Sequence, residues 1–149
     1  MKTILFICTG NTCRSPMAEA IARHVLRDRN DLFIASAGVA AFNGAMPSLE
    51  TLETLGQMGI EHEGLSRLLT ADMVRNATLI FGMTNSHVQA AKHLVGDDDE
   101  VVKRIHPLDP DGELPDPIGR GQSTYDALGE RLTTLIPDRI AALLKEEES

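Results

Sequence analysis

The chain has 149 residues, 42% of them hydrophobic, with 22 acidic against 14 basic side chains and a formal net charge of −8. Such a length suits a single domain over residues 1–149 with a sizeable core, and the negative surplus argues against nucleic acid or an anionic membrane as a partner. No segment approaches the run of ~20 apolar residues that a spanning helix needs, and Met1-Lys2 leads straight into a strand pattern without a signal-peptide site, so a cytoplasmic location is expected.

In chain order, Lys2–Ile7 reads as a buried central strand and Pro16–Arg27 as a helix, with Met17, Ile21 and Val25 on one face. Leu32–Ala37 reads as the second strand. Pro47–Met58 reads as a helix with Leu49, Leu52 and Leu55 inward and Gly59 as its stop. Thr70–Asn76 suits a short helix, Thr78–Met83 a buried strand, and Thr84–Leu94 a helix capped by Thr84. Val101–His106 reads as the fourth strand. Pro107–Gly121 holds four of the seven prolines and three glycines, which predicts a long loop. Ser123–Lys145 reads as the last helix, with Tyr125, Leu128, Leu132, Leu135 and Ile136 inward and a kink at Pro137.

Strands alternating with helices predict an α/β, three-layer, doubly wound fold with a four-stranded parallel sheet. Ligands in such folds bind beyond the carboxyl ends of the strands. Cys8 lies at that end of the first strand, and the long loop follows the fourth.

The segment Cys8-Thr9-Gly10-Asn11-Thr12-Cys13-Arg14-Ser15 joins the first strand to the first helix. A loop coiled there can turn successive N–H groups toward one anion, helped by the helix N-terminus. Gly10 offers backbone freedom, and Asn11 can tie the loop together or visit a left-handed conformation. Arg14, six positions after Cys8, offers a planar fork for two phosphoryl oxygens. These surroundings favour a thiolate at Cys8. Ser15 can donate to that thiolate or cap the helix, and Pro16 suits the first helical position. The residue types therefore point to attack on a phosphate ester or phosphoramidate, with Thr9 to Ser15 as the phosphate-binding loop.

Cys8 through Pro16, continuing as Met17-Ala18-Glu19, closely resembles the low-molecular-weight protein phosphatase family. The resemblance extends over essentially the whole chain: Ser36-Ala37-Gly38, then Gly59-Ile60 with Ser66-Arg67 and Leu69-Thr70, then Asp116-Pro117. It implies Cys8 as nucleophile, Arg14 as phosphate clamp and Asp116 as general acid, acting on phosphorylated proteins. Asp116 also stands out among Asp109, Asp111 and Glu113 because Pro115 and Pro117 flank it and restrict its backbone. Water would hydrolyse a phosphocysteine intermediate. No metal or other cofactor is needed, because Arg14 and the loop supply the positive charge.

Tyrosine-directed relatives carry an aromatic residue after the Asp-Pro pair; Ile118 stands there. Phe42 is the best remaining candidate for a wall. Thr12 resembles the loop of the arginine-directed relatives, where a small hydroxyl group leaves room for a guanidinium. Phosphoarginine is therefore the expected substrate, with phosphotyrosine as the alternative. Ile118 departs from both groups. Cys13 is a candidate redox partner that could shield Cys8 in a reversible disulfide, which the resemblance also implies. Arsenate reduction ranks lower because no cysteine follows Cys13. A non-catalytic phosphate-binding or thiol-sensing module is the other lower reading. A monomer is expected.

The five histidines show no metal-ligand spacing. His87 and His93 do not share a helix face. His62 lies two positions before the place where relatives keep a supporting histidine, now Gly64, and reads as a solvated loop residue. Asp97-Asp98-Asp99-Glu100 reads as a solvated loop and Glu146–Glu148 as a frayed acidic tail.

Overall fold

The computed structural model describes residues 1–148. Its centre is β1 (Lys2–Cys8), in which Ile4 to Cys8 are all buried. An unbroken apolar strand of this kind needs cover on both faces, which a parallel sheet with crossover helices provides. β1 pairs in parallel with β2 (Leu32–Gly38) on one side and β3 (Leu79–Gly82) on the other. β4 (Ile105–Pro107) extends the sheet beyond β3, giving the order β2-β1-β3-β4. The chain thus leaves β1 toward one edge and later returns to its other side. The crevice at the carboxyl end of β1 is the switch point at which ligands bind.

Side chains alternate along β1, so each face feeds its own core. Ile4 and Phe6 pack with Met17 and Ile21 of α1 (Arg14–Val25) and with Leu132 and Ile136 of α6 (Gln122–Glu148). Leu5 and Ile7 pack with Val74 of α3 (Ala71–Asn76) and with Val88 and Ala91 of α4 (Asn85–Leu94). The three expected layers are present.

Several expected boundaries shift, each for a local reason. α1 starts at Arg14, so Pro16 sits third in the helix, still within the turn whose N–H groups have no helical acceptor. α2 runs Leu49–Gln57 and buries Thr51, Thr54 and Leu55, whereas Leu49 is 79% exposed. Its inner face is partly polar because it meets polar partners. The Thr51 hydroxyl donates to the Thr12 carbonyl (3.3 Å) and the Thr54 hydroxyl to Asp126 (2.7 Å). Val101 belongs to a short helix, α5 (Asp99–Val102), and not to β4. The acidic run is therefore not a loop throughout: the Asp98 carboxylate accepts from the Glu100 N–H and caps α5. Pro137 lies inside α6, and the expected acidic tail is helical through Glu148.

The segment between β4 and α6 is fastened from both sides. Leu108 N–H donates to the Gly82 carbonyl and Leu114 N–H to that of Met83, each at 2.9 Å. Glu113 accepts the Asn85 N–H at the start of α4 (2.6 Å), and Arg131 of α6 pairs with the largely buried Asp109. These ties bring Asp116 to the edge where β1 ends.

Candidate active site

Between β1 and α1 the chain turns its carbonyls outward. The Cys8 and Thr9 carbonyls accept from the N–H groups of Val39 and Ala40 (2.9 Å each). The Thr12 carbonyl accepts from Ser48 N–H (2.8 Å) and the Cys13 carbonyl from Met17 N–H (3.2 Å). Among the described residues, no acceptor binds the backbone N–H groups of Gly10, Asn11, Thr12 or Cys13. A loop with outward carbonyls and unclaimed donors at a helix N-terminus is suited to an anion.

The positive φ in this loop belongs to Asn11, at 56°, and not to Gly10. A short polar side chain tolerates that conformation when it bonds locally, and Asn11 bonds three times. Its amide donates to Ser15 Oγ (2.7 Å) and Ser36 Oγ (3.0 Å), and its oxygen accepts the Arg67 N–H (2.9 Å). Gly38 makes the approach of β2 possible: a Cβ there would lie 2.5 Å from the Thr9 carbonyl oxygen and 2.9 Å from Asn11 N.

Cys8 Sγ lies 2.8 Å from Ser15 Oγ. Since Ser15 Oγ already accepts from Asn11, its own proton can go to the sulfur. Both Cys8 and Ser15 are buried, at 2% and 0% exposure. Ser15 therefore serves the thiol and does not cap α1, whose first position outside the helix is Cys13. Ser36 continues the network by donating to Glu19 Oε1 (2.8 Å).

Glu19 is the buried end of that network, with Arg23 3.4 Å away. His62 contradicts the sequence expectation of a solvated residue. Its side chain is 4% exposed and its Nδ1 lies 3.9 Å from Glu19 Oε2. The ring fills the space beside Gly64, where a Cβ would meet His62 Nε2 at 2.9 Å. A side chain from position 62 thus reaches back over the glycine two residues later. Spacing along the chain hid this, because the 60–65 segment forms neither helix nor strand and has no period to read.

Arg14 is only 5% exposed, and both arms of its guanidinium are held. Nη1 donates to the Leu114 carbonyl (3.1 Å) and Nη2 to Thr9 Oγ1 (3.4 Å). Asp116 Oδ2 stands 3.9 Å from Nη2, and its carboxyl group is about half exposed at 47%. The other carboxylate oxygen accepts the Ile118 N–H (3.0 Å), which fixes its direction. Arg14 of α1 and Asp116 of the segment between β4 and α6 thus meet, and Cys8 stands at the end of β1. Ile118 is 62% exposed and Phe42 86% exposed.

Cys13 is buried beneath the loop, with its thiol 3.4 Å from Tyr125 Oη and 3.5 Å from Ser48 Oγ. Burial, and then the bond to Cys13, push the Tyr125 phenol well above its ordinary range. Sequence periodicity placed Tyr125 in the core but not under the loop. Also unread in the sequence was His87, which holds Thr9 from below (2.9 Å). Among the described residues, no three His, Cys, Asp or Glu side chains converge to hold a metal ion.

The fold and the loop geometry define a thiol-bearing anion site at a sheet switch point. The model of the low molecular weight phosphotyrosine protein phosphatase family matches residues 3–149, and the chain belongs to that family. It is a cysteine-dependent protein phosphatase. Among relatives, it is 34% identical over 147 residues to the protein-arginine-phosphatase of Geobacillus stearothermophilus, covering 97% of each chain. It is 34% identical over 133 residues to the low molecular weight protein-tyrosine-phosphatase PtpB of Staphylococcus haemolyticus, covering 89% of this chain and 94% of that one. Among solved structures, a cysteine-to-serine mutant of the YwlE arginine phosphatase with a phosphorylated active-site serine superposes with a TM-score of 0.86. That pair is 30% identical, with 96% of this chain and 95% of the other covered. In that protein the serine that replaces the cysteine carries the phosphoryl group.

Proposed function

We propose that the preferred substrate is phosphoarginine in proteins, with Cys8 as nucleophile, Arg14 as clamp and Asp116 as acid and then base. Cys8 attacks phosphorus in line while Arg14 and the N–H groups of Thr9 to Ser15 hold the equatorial oxygens. Asp116 gives a proton to the departing guanidine nitrogen. It then takes one from the water that cleaves the phosphocysteine. Cys13, five positions after Cys8, is the disulfide partner of Cys8 when the site is oxidised. The enzyme acts as a monomer in the cytoplasm.

The observation that carries the substrate choice is the disposition of the rings. The chain has four Phe, one Tyr and no Trp. Phe6 and Phe81 are stacked in the core and Tyr125 lies under the loop. Phe33 is on the first half of β2, away from the strand ends that carry the site. Only Phe42 is left to line a phenol slot. In place of rings we assign Thr12 and Asp116 as acceptors for a guanidinium; the half-exposed Asp116 carboxyl beside Arg14 supports that reading.

The test compares kcat/KM for a phosphoarginine and a phosphotyrosine peptide of one sequence. Wild type should favour phosphoarginine by about tenfold or more, and Thr12→Ile should narrow or reverse that ratio, in line with the ~10- to 200-fold that small apolar changes command. A wild-type preference for phosphotyrosine overturns the substrate reading.

A further inference from the structure

His87 is 2% exposed and takes part in no step described above. Its two ring nitrogens have different partners. Nδ1 lies 3.2 Å from the Thr84 backbone N–H, which can only donate. Nδ1 is therefore an acceptor, and the ring proton sits on Nε2. Nε2 lies 2.9 Å from Thr9 Oγ1, so the imidazole donates and the hydroxyl accepts. The same oxygen accepts from Arg14 Nη2 (3.4 Å), while Nη1 is held by the Leu114 carbonyl (3.1 Å). A backbone amide thus sets the tautomer, the tautomer sets the hydroxyl, and the hydroxyl holds one arm of the guanidinium.

We infer that His87 is a positioning residue for Arg14, acting through Thr9. The inference rests on Arg14 being the phosphoryl clamp. With both lone pairs of Thr9 Oγ1 engaged, the hydroxyl keeps its own proton to offer an oxyanion lying on the guanidinium. Gly82 admits this arrangement: a Cβ there would stand 3.1 Å from His87 Cβ and 2.9 Å from Val88 Cγ2. Burial and then the Arg14 charge hold the ring well below its ordinary value, at about 4, so it is neutral under working conditions.

A double-mutant cycle with para-nitrophenyl phosphate tests it, because this substrate reports turnover whatever the natural side chain is. His87→Phe should lower kcat about tenfold, the scale of one hydrogen bond to a charged group, with KM changed less than about twofold. His87→Gln should keep kcat within about threefold of wild type, since its amide can accept from Thr84 and donate to Thr9. In a Thr9→Val background His87→Phe should change kcat less than about twofold. An equal loss in both backgrounds, or a Gln variant as impaired as the Phe variant, overturns the inference. If wild type fails to turn over, the phosphatase reading fails instead. The same cycle is then read in orthovanadate affinity, with the same tenfold, threefold and twofold expectations.

Discussion

At Asn11 two demands meet in one side chain. The backbone there is left-handed, and the amide ties together Ser15, Ser36 and Arg67. Alanine would keep a β-carbon in a region that costs it about 1–2 kcal/mol, and would strand buried partners at about 1–3 kcal/mol in all. Asn11→Ala should therefore lower unfolding free energy by about 2–5 kcal/mol, and Asn11→Gly by about 1 kcal/mol less. Urea denaturation of the two variants measures the difference. Equal losses would show that the strain at φ 56° is not felt. Turnover should fall in both, because Ser15 loses the donor that frees its proton for Cys8.

Among the elements, the segment from Leu108 to Gly121 has little secondary structure of its own, yet it carries Asp116. Its place comes from β3, α4 and α6, through Leu114, Glu113 and Asp109. Hydrogen bonds from the Asp111 backbone, and the Arg131 guanidinium, hold the Asp109 carboxyl below the usual range against its burial. Arg131→Ala would leave that carboxylate largely buried without its cation. Because Arg131 is itself 45% exposed, we expect a modest stability loss of about 1–2 kcal/mol, well under that of a fully buried pair. The larger effect should be on kcat for substrates with poor leaving groups, which need a placed acid. A kcat on phosphoarginine peptide that falls no more than that on para-nitrophenyl phosphate would show that α6 does not place Asp116.

For the molecule as a whole, three sheltered imidazoles set its response to acid. His62, His87 and His106 are all held below 6.5 chiefly by burial. The unfolded chain takes up these protons first, so protonation favours unfolding. Stability from this source is complete above pH 6.5 and declines as pH falls toward about 4, the value for His87. The exposed Asp31, lowered to about 2 by its bond to Arg29, acts only at still lower pH. The urea midpoint should therefore be lower at pH 5 than at pH 7, and His87→Gln should flatten the slope. A midpoint unchanged between those pH values would contradict the burial of these rings.

What the sequence determined by itself is local. Residue types at adjacent positions, Cys8 to Pro16, specify an anion loop, because strand, turn and helix signals there are satisfied within one short segment. The order of strands and helices also announced a parallel sheet, since strands separated by helices need crossover connections. Tertiary structure decided everything that depends on chain returning from far away. The Glu19–His62 contact, the Thr9–His87 bond and the Cys13–Tyr125 contact each join residues with no shared periodicity. The inner face of α2 is likewise partly polar: of the three leucines that spacing placed inward, Leu55 is buried but Leu49 is exposed, and Thr51 and Thr54 complete the face. Hydrophobic pattern says which face is buried, but the partner of a buried polar atom is set by packing, and packing is known only once the layers are stacked.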